Sequence, residues 1–476
     1  MRVNLRDVVR WLFLPTMSLI LVLASNNVMA AVTFIVYIWA MWGYLNRAKE
    51  NAYMIIFMIA FFVFLLEQPF ALEYLDITEG YGYGKRLTDD AENTMYISLS
   101  LSLLSLYIGY CYFSKIKIRK ISNRMKPPLS DNLRVYSVQR ITRYSTIFLY
   151  IIVLIVNLEM AAYVAVVGYL ASYVGRVSML PSFFSTLADI APVSLALYLA
   201  TLPRKDDVRP VLILYGISEG ISLLTGRRYE AVAACLFLVL YCILRSRIDE
   251  KAWITKRHIC LMVATVPFVM LLLISIESWR VGGGVSENWQ ELLGKFFTSI
   301  GGSSNLIGYV DMYSSQLKER EVFFSFGNIW RSLNGNTIAQ FLFDTPVYTG
   351  HTVEAAMYGR SLGSALMYYI NPTRFLSGGG LGSCFIAELY IDFSCLGVAI
   401  GSMVLGMFIA KLKDLHKESI LQNFVCVFAV VSLIRMPRDS FDYCLNQFIA
   451  LKNVPFYCVV YLLSDALMKK MEVTSR

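Results

Sequence analysis

SGGGLGSCFIAELY (377–390) is a glycine-rich turn that leads directly into a long apolar stretch, 384–410. This stretch is longer than the roughly 17–25 residues that a helix needs to cross the hydrocarbon core of a bilayer. Glu388 lies about one turn from its start, where an ionisable group is costly and therefore usually functional. Further along, Gly397 and Gly401 form a GxxxG pattern that is predicted to mediate helix packing. The sequence thus predicts a membrane helix with a carboxyl group near the membrane surface.

The composition of the whole chain supports a membrane protein with many spans. The chain has 476 residues, of which 57% are hydrophobic and 16% are charged, and its mean hydropathy is +0.55. This composition excludes an ordinary soluble enzyme and predicts an all-α polytopic membrane protein. About twelve transmembrane helices are predicted, at 11–25, 28–45, 52–72, 94–113, 144–168, 184–202, 210–224, 229–245, 259–277, 384–410, 420–436 and 449–468.

The basic residues indicate the orientation of these helices. Most of the 43 Lys and Arg residues fall in alternate connections between predicted helices. Positive charge is retained on the cytoplasmic side of a membrane, so both termini are predicted to be cytoplasmic. The densest basic connection, SKIKIRKISNRMK (114–126), is interpreted as such an anchor, which also attracts anionic membrane lipids. A nucleic-acid partner is not predicted.

One long loop, 278–383, separates two groups of predicted membrane helices, 1–277 and 384–476. It is too long to be a mere connection. Within it, SENWQELLGKFFTSI (286–300) has apolar residues at helical spacing. This pattern predicts an amphipathic helix that lies on the bilayer or packs over the bundle.

TGRRYEAV (225–232) places Arg227 and Arg228 in a short external hairpin between two predicted membrane helices. Arg280 follows another predicted helix at the same depth. Guanidinium groups bind phosphate oxygens in a bidentate manner, so the three arginines are predicted to bind a lipid-linked pyrophosphate. The alternative is that the hairpin arginines interact with lipid headgroups or with acidic neighbours such as Glu230.

Two residues are candidates for a general base. Glu388 could act as a base with a raised pKa, or it could hold an arginine of the pyrophosphate site. His351 is the only histidine predicted on the external side, although a lone loop histidine more often has no such role. The glycine turn at 378–380 with Gly382 either presents backbone N–H groups to an anion or only returns the loop to the membrane. The sequence has no metal-ligand spacing, so neither a metal nor a cofactor is predicted.

The predicted topology, together with TGRRYE (225–230) and GGGLGSCFIAELY (378–390), resembles bacterial O-antigen polymerases of the Wzy type. The resemblance implies a GT-C-like membrane glycosyltransferase of the bacterial inner membrane, with a large periplasmic loop and a periplasmic active face. It implies transfer of a growing chain from undecaprenyl pyrophosphate onto an incoming oligosaccharide repeat unit, and it leaves open a chain-length regulator as a further partner. Arg360 and Tyr229 join the predicted pyrophosphate- and substrate-binding residues, and Tyr390 is predicted to stack against a sugar.

Two other functions are compatible with the same residues. An O-antigen ligase would share the topology, the lipid-linked donor and the arginine chemistry, and would differ in its acceptor. His351 would be the expected base in a ligase. A flippase or other transporter of the lipid-linked unit would typically show paired half-repeats around a midplane site, whereas the distinctive residues here gather at one face.

Overall fold

The computed structural model describes residues 5–75, 86–115, 133–174, 176, 178–255, 257, 264, 301–335, 337–412, 414–416 and 419–474. Within these ranges every regular element is helical. The bundle helices are Leu5–Ala24, Val28–Leu45, Ala52–Phe61 with its π-helical extension Phe62–Leu66, Glu67–Tyr74, Asp89–Lys115, Leu133–Val167, Ser182–Ala200, Lys205–Ser222, Arg228–Ile248, Phe385–Lys411, Ile420–Arg435, Tyr443–Ile449 and Val454–Thr474. The loop helices are Asn305–Met312, Ser314–Lys318, Gly327–Asn334, Thr337–Phe343, Val353–Tyr358, Leu362–Ile370 and Pro372–Leu376.

In the described ranges, nine helices are long and apolar enough to cross a membrane. A tenth span is formed if Tyr443–Ile449 and Leu451–Val473, which meet at a bend of 42°, are counted together. This confirms the predicted polytopic helical membrane protein. The predicted number of twelve is not confirmed, because Leu5–Ala24 is not among these helices and the predicted helix 259–277 lies largely outside the described residues. A GT-C-like arrangement stays a prediction.

Among the described helices, the most extensive contact is between Asp89–Lys115 and Phe385–Lys411. The helix Phe385–Lys411 is called the Glu388 helix below. A Cβ atom at Gly109 would clash with the carbonyl oxygen of Met403, and one at Gly406 would clash with the backbone of the partner helix. Such close approach favours association in lipid, where packing replaces the hydrophobic driving force between helices. The contact therefore fixes the Glu388 helix against an early helix of the chain.

The Glu388 helix is broken at Ser394, whose backbone angles (φ 56°, ψ −157°) are not helical. The atoms nearest to Gly397 and Gly401 belong to the same helix, so a role of these glycines in packing against another helix stays a prediction. A Cβ atom at Gly397 would clash with Phe393, and one at Gly401 would clash with the Leu389 side chain. The two glycines therefore make room for the segment that precedes the break in the same helix.

The described part of the long loop, 301–383, packs as short helices over the end of the bundle where the Glu388 helix begins. This end is called the loop face below. The loop is tied to the bundle interior, for example by a hydrogen bond of 3.0 Å from the Asn305 side-chain amide to Gln68 Oε1. The predicted amphipathic helix 286–300 lies outside the described residues, as does most of the predicted basic anchor 114–126.

Candidate functional site

A cavity of about 450 Å³ opens at the loop face, which is a size typical of ligand pockets. Its charged lining residues are Arg331, Arg360 and Glu388. Its aromatic and uncharged polar lining residues include Trp330, Tyr348, Tyr358, Asn328, Asn334, Thr345, Ser361, Ser364, Ser383 and Ser440. Rings, amides and hydroxyls beside two guanidinium groups suit a ligand that has both sugar-like surfaces and negative charge.

One wall of the cavity is the helix Gly327–Asn334, which is held in place by a buried carboxylate. Asp442 is fully buried and accepts hydrogen bonds from the Ile329 backbone N–H at 2.8 Å and from the Asn328 side-chain amide at 3.0 Å. A carboxylate that accepts from the first turn of a helix also interacts favourably with the helix dipole. Asp442 therefore fixes this wall relative to the membrane helices.

Two arginines face the cavity from the loop. The Arg360 guanidinium lies over the Trp330 ring, 4.0 Å from its centroid, and burial lowers the pKa of Arg360. Arg331 donates a hydrogen bond of 2.6 Å to Asn328 Oδ1. Neither guanidinium forms a salt bridge within the described residues. Arg331 also interacts electrostatically with Asp439 and Asp442, and both guanidinium groups line the cavity, where they can meet a negatively charged group.

Glu388 forms part of the opposite wall and is only 2% exposed. One carboxylate oxygen accepts a hydrogen bond of 2.6 Å from the Ser383 hydroxyl, and the other accepts one of 2.8 Å from the Phe441 N–H. In the described part of the chain its hydrogen-bond partners are thus a hydroxyl and a backbone amide rather than an arginine. Cys384 and Phe385 at the helix start are fully buried, so this helix end does not present its N–H groups openly to an anion.

The element that links the parts of the site is RMPRDSFD (435–442), called the connecting segment. Ser440 lines the cavity, the Phe441 N–H binds Glu388, and Asp442 holds the cavity wall. Sequence reasoning did not select this segment as a unit. The available signal was its four charged residues within eight positions at the end of a predicted membrane helix.

The connecting segment also meets the TGRRYE motif. Arg227 Nη1 lies 3.8 Å from Glu230 Oε1, and the Arg227 side chain is 41% exposed. Arg435 interacts electrostatically with Tyr229 and Glu230, and the Arg438 guanidinium lies 5.5 Å from the Tyr229 ring centroid. Arg227, Arg435 and Arg438 are called the arginine cluster.

The arginine cluster differs from the predicted pyrophosphate site. Arg280 lies outside the described residues, and only the backbone of Arg228 is described, as the first residue of Arg228–Ile248. Arg227 is therefore the one predicted arginine of the three that the structure places with its side chain. The connecting segment adds two arginines to it from a distant part of the chain.

His351 does not line the cavity. Its ring centroid lies 4.9 Å from that of Phe375 and 6.1 Å from that of Tyr173, and Tyr173 hydrogen-bonds Arg227. Burial lowers the pKa of the imidazole, and His351 Nδ1 has no hydrogen-bond partner within the described residues. His351 therefore lies toward the arginine cluster rather than beside Glu388.

The glycine turn before the Glu388 helix serves close packing. Gly378 has a positive φ of 99° and approaches Leu170 so closely that a Cβ atom would clash with the Leu170 carbonyl oxygen. A Cβ atom at Gly380 would lie 3.9 Å from His351 Cε1. Of the two interpretations of this turn, the return of the loop to the membrane agrees with these contacts.

The remaining predicted sugar contact, Tyr390, does not line the cavity. Its hydroxyl hydrogen-bonds Asp311 at 2.9 Å. Among the predicted residues, the structure brings Glu388 and Arg360 together in the cavity and places Arg227 in the neighbouring arginine cluster. Sugar stacking by Tyr390 stays a prediction.

The carboxylates of the site lie near one another. Asp439 and Asp442 both interact electrostatically with Glu388. The described ranges contain no group of three His, Cys, Asp or Glu side chains arranged to hold a metal ion. The site thus offers carboxylates for proton transfer and guanidinium groups for binding an anion.

The pKa of Asp439 provides a test of the connecting segment. Burial raises this pKa to about 6, while the Ser440 N–H and Arg435 act in the opposite direction. The unfolded value is about 4, so the stability that protonated Asp439 contributes is complete below about pH 4 and is lost as the pH rises through about 6. Asp439→Asn removes this loss, and we expect it to gain on the order of 1–3 kcal/mol relative to wild type between about pH 4 and pH 7.

Melting temperatures of the purified protein in nanodiscs across this pH range would measure the difference. Asp189→Asn is a matched control, because Asp189 is 60% exposed in its ion pair with Lys452. The control should keep the pH dependence of the wild type. If Asp439→Asn kept the pH dependence of the wild type, the raised pKa of Asp439 would not be the cause of that dependence.

A family model for O-antigen polysaccharide polymerase Wzy matches residues 8–471. No curated protein and no solved structure matches the chain. The family match covers the bundle and the long loop together, so it includes both the cavity and the arginine cluster.

Proposed function

The chain belongs to the O-antigen polysaccharide polymerase Wzy family, and we propose that it joins undecaprenyl-pyrophosphate-linked oligosaccharide repeat units at the periplasmic face of the bacterial inner membrane. The growing chain is transferred from its lipid carrier onto the non-reducing end of an incoming unit. In this proposal the glycosyltransferase uses no metal or cofactor, its termini are cytoplasmic, and the loop face is periplasmic. A polysaccharide chain-length regulator stays a predicted partner.

The observation that supports this function most directly is the position of Glu388. It is a buried carboxylate in the wall of a cavity that also contains Arg331 and Arg360. The connecting segment, 435–442, joins this cavity to the arginine cluster. A base and groups that bind an anion are the two requirements of glycosyl transfer from a pyrophosphate donor.

These groups have separate roles in the proposed reaction. Glu388 accepts the proton of the acceptor hydroxyl while the hydroxyl oxygen attacks the anomeric carbon of the donor. The bond between that carbon and the phosphate oxygen breaks, and its electron pair leaves with the lipid pyrophosphate. The arginine cluster, together with Arg228 and Arg280, stabilises the charge that develops there, an effect of roughly 3–4 kcal/mol for each well-placed donor.

The loop side of the cavity binds the saccharide in this proposal. Trp330, Tyr348 and Tyr358 provide apolar ring surfaces for sugar faces, since aromatic side chains combine an apolar body with defined geometry. Arg331 and Arg360 orient the unit through its oxygens. His351, which lies away from the cavity, is not needed as the base.

Deletion of the gene in its native host tests the function. We expect lipopolysaccharide gels to show lipid A–core that carries a single repeat unit, because transport and ligation continue while polymerisation stops. Bare core without any repeat would contradict the polymerase and indicate a ligase or a flippase. The side of the membrane on which lipid-linked units accumulate would separate those two, and loss of activity in His351→Asn would favour the ligase.

A further inference from the structure

The Glu388 helix has an exposed apolar stripe after its break. Leu396, Ile400 and Val404 are 68%, 50% and 48% exposed and follow one another at helical spacing. They extend over about 12 Å of helix, at 1.5 Å per residue. Within a membrane span, such exposed side chains face the hydrocarbon of the bilayer.

The stripe continues across the break to a residue of the loop. Phe393 is 43% exposed and lies against Gly397, beside the non-helical Ser394. Its ring stacks on Phe323 with a centroid distance of 5.5 Å and an angle of 19°. Phe323 belongs to the long loop rather than to a membrane helix, and its large apolar side chain is 53% exposed.

The loop at Phe323 is fixed to the Glu388 helix by Asp392. The Asp392 carboxylate accepts hydrogen bonds from the N–H groups of Phe324 at 3.1 Å and Ser325 at 2.7 Å, and from the Ser325 hydroxyl at 2.6 Å. Val322, on the other side of Phe323 in the chain, lines the cavity. The stacked pair Phe323 and Phe393 therefore lies between the exposed stripe of the Glu388 helix and Val322 at the edge of the cavity.

We infer that this surface guides the isoprenoid chain of the lipid-linked substrate from the cavity into the bilayer. The apolar track consists of Phe323, Phe393, Leu396, Ile400 and Val404. The inference rests on the proposed function, and it adds where the hydrocarbon part of the substrate lies. Bilayer lipid solvates an isoprenoid chain as well as protein does, so the track orients the donor as it enters the cavity rather than adding affinity.

Two donors that differ only in tail length test the track. Purified protein in nanodiscs would receive the same oligosaccharide pyrophosphate on a chain of eleven isoprene units or on a water-soluble chain of two. For Phe323→Asn we expect kcat/KM to fall about tenfold with the long donor, because misplacement of the reacting end slows the reaction, and to stay unchanged with the short donor. Phe148→Asn is the matched control, since Phe148 is 58% exposed on the helix Leu133–Val167 away from the track.

Equal losses with both donors, or an equal loss in the Phe148 control, would overturn the track. A second measurement does not depend on turnover. A diazirine-bearing farnesyl pyrophosphate without sugar should label peptides that contain 322–326 or 393–404, and Phe323→Asn should reduce this label. Labelling spread evenly over the lipid-facing helices would show only bulk membrane partitioning and would overturn the track. If wild type labels at the track but transfers from neither donor, the proposed function fails while the track stands.

Discussion

Replacing Glu388 by glutamine is expected to collapse the polysaccharide ladder to core with a single repeat unit. The amide cannot accept the proton of the acceptor hydroxyl, and loss of a general base typically costs 10²- to 10⁴-fold in rate, so roughly this reduction is expected. Glutamine has nearly the same shape, and its oxygen can still accept from the Phe441 N–H while its amide donates to Ser383. The variant should therefore accumulate in the membrane at the wild-type level.

The measurement is a lipopolysaccharide gel of the deleted host complemented with each variant, together with an immunoblot of its membranes. Glu354→Gln is a suitable control, because Glu354 is an exposed carboxylate on the same loop, at the start of Val353–Tyr358. It should restore a full ladder. A full ladder from Glu388→Gln would remove Glu388 from the role of base.

Replacing Arg227 by glutamine is the second change with a large expected effect. Arg227 is partly exposed beside Glu230, so its guanidinium is accessible to a pyrophosphate at the membrane surface. Loss of one preorganised donor to developing negative charge lowers turnover by about 10²- to 10³-fold. We expect polymer to disappear in the same gel assay with normal protein levels, and purified protein in nanodiscs should show a lower kcat.

Arg227→Lys separates charge from geometry. Lysine keeps the positive charge but lacks the planar fork that binds two phosphate oxygens together. It should restore a shortened ladder, intermediate between glutamine and wild type. Normal chain length in Arg227→Gln would contradict a role for the arginine cluster in stabilising the leaving group.

The membrane spans could be predicted from sequence because each is a continuous apolar run, and nine of them are found in the described ranges. The break in the Glu388 helix could not. Ser394 is neither proline nor glycine, and its non-helical backbone depends on Leu389 and Phe393 fitting against glycines on the far side of the break. Such a fit is a property of tertiary packing, which local patterns do not encode.

Some residues of the candidate site could likewise be predicted from the sequence, and others could not. Glu388 and Arg227 were identifiable because charged groups stand out at the ends of apolar runs. The cavity wall was not, because it depends on the hydrogen bond from Ile329 to Asp442, which is 113 residues further along the chain. A carboxylate that binds a distant backbone N–H has no signature in sequence spacing.

The close contact around Gly109 also constrains the biogenesis of the protein. It joins Asp89–Lys115, made early by the ribosome, to Phe385–Lys411, made late, and the buried hydroxyls of Ser102 and Ser402 hydrogen-bond across it at 2.8 Å. Until the late helix is inserted, the early helix exposes Ser102 and its narrow glycine surface to lipid. The nascent chain therefore has no assembled Glu388 site until the late helix has been inserted.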